Sequence, residues 1–117
     1  MNAKINKENA LGYVWGEACF SWVLADSKEL SIKQEVMPAH TKEQWHFHEL
    51  ATQFFYILKG QATFYLEGEV LVLNPNDGIP VGNTKKHYIA NEGIEDLEFL
   101  VISEPNTQQD RINIEGN

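Results

Sequence analysis

Cysteine is nearly missing from this chain: Cys19 stands alone among 117 residues, so no internal disulfide can staple the fold. Basic residues are scarce too. Nine Lys and Arg against 17 Asp and Glu leave a net charge of −8, a balance that repels phosphate backbones and anionic membrane surfaces and argues against nucleic acid as a partner. No stretch approaches the roughly 18 apolar residues that a membrane-spanning helix needs. The segment 1–10 is a polar arm without the apolar core of a secretion signal, and a cytoplasmic protein is expected. A chain of this length encloses one core, not two.

What the chain has in quantity is short apolar and aromatic runs separated by turn residues. The runs 13–15, 19–25, 30–37, 42–48, 53–59, 61–67, 69–73, 87–91 and 97–103 read as strands, while Pro38, Glu67-Gly68 and the cluster from Asn74 to Gly82 read as breaks. Many short, evenly spaced strands predict an all-β sandwich or barrel. The barrel is expected over 11–104, followed by a polar tail, 105–117, that is either a free end or a strand lent to a second subunit. Alternation in the third run puts Leu30, Ile32, Gln34 and Val36 on one face, read as the inner one, so Gln34 is expected in the wall of a pocket. The run from Gln53 to Lys59 is apolar on both faces, as in a barrel covered outside by a second copy, and a homodimer is expected.

Three histidines carry the chemistry. In an extended strand His46 and His48 project to the same side, about 6 to 7 Å apart at Cα, and Phe47 to the other. Joined by His87, they can reach one ion, because neutral imidazole nitrogens bind borderline metals well. A turn cluster containing Pro80 and Gly82 precedes His87, and Asn91 follows it.

With these residues in view the chain resembles the cupins, whose first motif is HxH, four residues, Glu, six residues, Gly, and whose second is PxG, two residues, His, three residues, Asn. His46, His48 and Gly60 fall in register with the first motif, and Pro80, Gly82, His87 and Asn91 with the second. Gln53 stands in the Glu position, and four residues rather than two separate Gly82 from His87. The likeness runs roughly from Trp15 to Arg111 and is nearest to small single-domain cupins. It implies a double-stranded β-helix, or jelly-roll barrel, holding one divalent transition metal ion (iron, zinc, nickel, manganese or copper) on His46, His48, Gln53 and His87. A neutral Gln53 leaves the ion its full charge, which favours an anionic small-molecule ligand. It also departs from the two-His, one-carboxylate pattern of iron oxygenases. Glu49 lies in the connection after His48 and Glu43 has the wrong parity for that face, so either could replace it only through a local bulge.

Phe55, Phe64 and Phe99, with Trp22, are expected in the core, where those near the metal shape an apolar pocket for substrate. His40 reads as an exposed loop residue, and Tyr88 as pointing away from the metal. Three functions fit these residues: a metal-dependent enzyme of dioxygenase or isomerase type acting on a small polar or anionic molecule, a non-catalytic module that binds or senses a small ligand, and a metal-free sugar-modifying barrel. No residue pattern marks a second catalytic group.

Overall fold

The computed structural model describes residues 2–115, and these contain twelve β-strands and no helix. They are Leu11–Trp15 (β1), Cys19–Asp26 (β2), Ser31–Met37 (β3), Thr41–Lys42 (β4), His46–Phe47 (β5), Thr52–Lys59 (β6), Ala62–Leu66 (β7), Glu69–Leu73 (β8), Gly78–Val81 (β9), His87–Asn91 (β10), Leu97–Glu104 (β11) and Ile112–Asn113 (β12). One antiparallel sheet runs β1-β2-β3-β11-β6-β9; the other runs β12-β5-β10-β7-β8, with β4 also on β10. Between the two sheets Met37, Phe55, Ile57, Phe64, Ile89, Leu97 and Phe99 are buried in one apolar core. This is the expected all-β barrel of jelly-roll type.

Turn chemistry sets the register. Glu67 and Gly68 both take positive φ, 49° and 89°, which suits the tight hairpin between β7 and β8. His40, exposed as expected, has a φ of 66°. Asn91, at the end of β10, donates from Nδ2 to the carbonyls of Met37 and Glu95, both at 2.8 Å, and accepts from the Gly93 N–H at 3.0 Å. It fastens two loops to the inside of the barrel.

Four sequence expectations are corrected. The inner face of β3 is Ser31, Glu35 and Met37, all buried, whereas Ile32, Gln34 and Val36 form the half-covered outer face. Gln34 therefore leaves the pocket wall and donates to Glu98 on the neighbouring β11. Trp22 shares that outer face, 4.7 Å from Phe20 between ring centres and beneath the Lys7 ammonium. Residues 78–81 form an edge strand on β6 rather than a loop; an edge tolerates Pro80, whose missing N–H would break a central ladder. The run 42–48 is interrupted between β4 and β5, which cancels strict parity there.

After Glu104 the chain turns back across the barrel instead of leaving it. The Asn106 N–H donates to the Lys28 carbonyl at 3.0 Å, β12 pairs with β5, and the Ile114 N–H donates to Trp45 at 2.8 Å. This return brings Arg111 to the mouth of the barrel and the Asp110 carbonyl to the His48 ring.

Gly60 shows how tightly the fold closes. Its φ is +80°, and a Cβ there would lie 2.5 Å from the Asp96 carbonyl oxygen. Both strain and collision oppose a side chain. We predict that Gly60→Ala lowers stability by about 2 kcal/mol or more, read by thermal or urea unfolding. Gly68→Ala, at a φ of +89° with no atom within 4 Å of the added carbon, loses less because only the strain remains.

Candidate metal centre

His46 opens β5 and His87 opens β10, and the two are direct partners across the antiparallel ladder. His48 follows β5 by one residue. Each imidazole is turned by a backbone carbonyl: Nδ1 of His46 lies 2.6 Å from the Gln44 oxygen, that of His48 2.6 Å from Asp110, and that of His87 2.8 Å from Lys85. A carbonyl can only accept, so Nδ1 carries the proton and donates in all three rings. Every Nε2 is left with a lone pair.

The rings are buried and stay neutral. Burial, with the Arg111 charge added, lowers His46 from 6.5 to about 3; burial, with His46 added, lowers His87 to about 4; burial also lowers His48. One ligand atom from each of the three lies within 4.8 Å of the others. Nε2 of His48 is buried without a hydrogen-bond partner. An orphaned acceptor of this kind is rare, and a cation among three converging lone pairs satisfies it.

Gln53 reaches the three histidines from β6 in the opposite sheet. Its Nε2 donates to Ser103 Oγ at 3.0 Å, which points Oε1 at His87 Nε2, also 3.0 Å away. With Nδ1 of His87 already the donor, this places two acceptors face to face. Two such acceptors in contact would be relieved by a cation held between Gln53 Oε1 and His87 Nε2. The amide rotated by half a turn would instead donate to His87 and accept from Ser103, the arrangement of a site without metal.

His46, His48 and Gln53 edge a cavity of about 620 Å³. Phe55 lines it; Phe64 and Phe99, expected there, are fully buried in the core behind it. They act through neighbours instead. Phe64 lies parallel to the His87 ring with centres 5.9 Å apart, and Phe99 packs on Phe55. Tyr88 faces the other side of the sheet, stacked on Tyr65, as alternation requires.

Several lining residues escaped sequence reasoning. Glu35 is buried in the wall, accepting from Ser21 Oγ at 2.6 Å. Glu43 reaches the cavity from the break between β4 and β5, where it accepts the Ile89 N–H at 3.1 Å and lies 3.8 Å from the Arg111 guanidinium. Glu49 stays exposed. Asp110 ties down the turn after His48, its carboxylate accepting from the N–H groups of Glu49, Leu50 and Ala51 at 2.9, 3.2 and 3.0 Å. A polar residue among polar neighbours on β3 was the available signal for Glu35. It reads equally well as a solvated face.

A family model for the cupin domain matches residues 33–103. Among curated proteins none matches the sequence. Several solved structures share the fold at low identity. KdgF from Halomonas sp. superposes with a TM-score of 0.83 at 17% identity, over 92% of this chain and 98% of its own. A predicted oxalate decarboxylase from Thermotoga maritima gives 0.81 at 20%, over 89% and 100%. The Streptomyces nucleoside dehydratase Pac13 gives 0.79 at 18%, over 98% and 92%.

The buried acid makes a pH prediction. Burial, opposed by the Ser21 bond and assisted by the Glu43 charge, pushes the Glu35 carboxyl from 4.5 up to about 7. Folding therefore holds this proton more tightly than the unfolded chain does, and stability from Glu35 falls as pH rises from about 4.5 to about 7. In metal-free protein Glu35→Gln removes that loss. Its stability relative to wild type should be greater at about pH 8 than at about pH 5, by ~3 kcal/mol, in urea unfolding at both values.

Proposed function

The chain belongs to the cupin domain family, and on that premise we propose that it is a metal-dependent enzyme acting on a small anionic molecule. The observation that carries this reading is the partnerless His48 Nε2, buried within reach of two further imidazole lone pairs. His46, His48, His87 and the Gln53 carbonyl oxygen would hold one divalent ion. Iron, zinc, nickel, manganese or copper would there supply Lewis acidity or, for a redox-active ion, electron transfer. The chain's own part is to present neutral donors in a fixed orientation and to leave positions open for ligand. A donor set with no formal charge retains the ion's two positive charges, which suits a carboxylate or another oxygen anion.

The metal-free alternative is favoured only by the rotated Gln53 amide, and it leaves His48 Nε2 still without a partner. The binding-module alternative rested on the lack of any second catalytic group. Glu35 and Glu43 in the cavity wall remove that objection to an enzyme. Folds similar to this one include proteins named as a decarboxylase and a dehydratase, both acting on small molecules by name.

A second copy of the chain belongs to the proposal. The outer face of β6 presents Phe54 and Leu58, 38% and 39% exposed, with Tyr56 between them. We expect a dimer in sedimentation equilibrium and a monomer for Phe54→Glu; a monomeric wild type would reject this part alone.

Metal analysis of protein purified without a polyhistidine tag tests the centre itself. We expect about one divalent ion per chain in the wild type and none in a His46→Ala, His48→Ala double variant. Gln53→Glu should tighten binding at least about tenfold in competition with a chelator, because a full charge replaces a dipole. Unchanged affinity would remove Gln53 from the ligand set, and full metal content in the double variant would remove the site.

A further inference from the structure

The cavity wall on β3 carries an ordered series of polar groups. Ser31, Lys33 and Glu35 share its inner face, and all three line the cavity. Register with β11 and β6 places Ser31 in line with Ser103 and Gln53, Lys33 with Val101 and Phe55, and Glu35 with Phe99 and Ile57. A molecule lying along this wall, starting from the row of Gln53, meets an ammonium group and then a carboxyl, with about 6 to 7 Å between successive side chains. That interval fits a unit of a few carbons. The Lys33 ammonium is steadied by the Tyr13 ring, which also lines the cavity and whose centre lies 5.4 Å away.

Glu35 is not placed as a structural acid would be. Its carboxylate accepts from Ser21 Oγ, and among the described residues no cation forms an ion pair with it. Salt bridges hold Glu98 and Glu43 instead. A carboxyl kept buried in an aqueous cavity at this expense of solvation is a candidate for moving protons.

We propose that Glu35, positioned by Ser21, is the acid–base residue of the metal-enzyme site described above, and that Lys33 receives the carboxylate of its substrate, a small acid bearing an enolisable carbonyl. The proposal deepens the metal-enzyme reading and rests on it. A carboxylate base needs an acidified C–H, and a neighbouring carbonyl provides one. Glu35 takes the proton from that carbon at its carboxylate oxygen. The C–H electron pair passes into the C–C bond while the carbonyl π pair moves to oxygen, giving an enolate. Protonated Glu35 then returns the proton to carbon or to the enolate oxygen. No oxidant or second reactant enters: return to the same carbon exchanges its hydrogen with solvent, and return to the enolate oxygen gives the enol isomer.

The groups around Glu35 set where it titrates. Ser21 and Cys19 face it from β2 and Lys33 from its own strand; Glu43 comes from the break before β5, and Arg111 from the returning segment. Burial and Glu43 push its proton affinity up, while Ser21, Lys33 and Arg111 draw it down, to a value of about 7. A group in that range serves as base and as acid in one turnover.

The test uses zinc-loaded protein and a panel of pyruvate, 2-oxobutanoate and 2-oxoglutarate in heavy water, with deuterium entry at C3 followed by NMR. Metal content is measured first, so failure of the metal centre is seen separately as missing zinc. Wild type should exchange at least one panel member. Glu35→Gln should lose a factor of about 10² or more in rate while its zinc content and its dissociation constant for the probe stay within about twofold. Ser21→Ala should move the acidic limb of the pH–rate profile to higher pH, since it removes a bond that stabilises the carboxylate that takes the proton. Lys33→Met should weaken probe binding about tenfold and spare the maximal rate. In metal-free protein, difference infrared spectra should show a carboxyl band that disappears on titration near neutrality in wild type and is missing in Glu35→Gln. Exchange at the wild-type rate in Glu35→Gln, no exchange of any panel member by zinc-loaded wild type, or a Glu35 band that titrates at ordinary carboxylate pH would each overturn the proposal.

Discussion

Three backbone carbonyls, those of Gln44, Lys85 and Asp110, decide what the histidines can do. By accepting the Nδ1 proton of His46, His87 and His48 they fix the tautomer and the ring direction of each, and so aim three lone pairs at one place. The carbonyls belong to different parts of the chain. Gln44 lies in the break before β5, Lys85 in the loop before β10, and Asp110 in the segment that returns after β11. Anything that displaces one of these connections reorients an imidazole without touching it. The two residues that lengthen the loop before His87 therefore need not disturb the centre. Thr84 donates to the His48 carbonyl at 2.6 Å, so the longer loop is itself anchored beside a ligand, and loop length alone adds little closure entropy.

What was legible in the sequence is what depends on spacing along one strand or on a turn that demands a particular residue. His46 and His48 share a side because strand side chains alternate; Gly60 is demanded by its positive φ and by the Asp96 carbonyl; Glu67-Gly68 marks a hairpin. Illegible features were those that depend on which side of a strand is inside. On β3 the apolar set Ile32 and Val36 packs outward with Gln34, and the polar set turns inward. Hydrophobic parity fails there because the barrel encloses a polar cavity at one end and a second sheet face lies half covered at its outer surface. Glu43 was hidden for a related reason, since the break between β4 and β5 resets the alternation on which its exclusion rested. Asp110 and Arg111 were assigned to a polar tail, and only the long-range pairing of β12 with β5 reveals where they go.

Packing and polarity divide the barrel between them. Phe55, Phe64 and Phe99 form an aromatic block, with rings 5.0 Å and 5.9 Å apart, and one face of this block lies against His87. This low-dielectric floor is what keeps the imidazoles neutral, and neutrality is a condition for binding a metal. Above it the wall becomes polar. The pocket sits where the closely packed end of the barrel gives way to groups that need water or ligand as partners.

Gln53 makes sense within that division of charge. A glutamate in its place would add a fourth carboxyl to a cavity already lined by Asp26, Glu35 and Glu43, the last paired with Arg111. Like charges confined together raise one another's proton affinity, so the added group would drive a neighbour to remain protonated or would repel an incoming anion. A neutral amide oxygen avoids both effects: on the proposed reading it would offer a ligand atom while leaving the negative charge of the cavity on the wall. Under the proposed function, the charge that a coordinating carboxylate would supply would come from the substrate, and the anion would then be part of the metal's own charge balance.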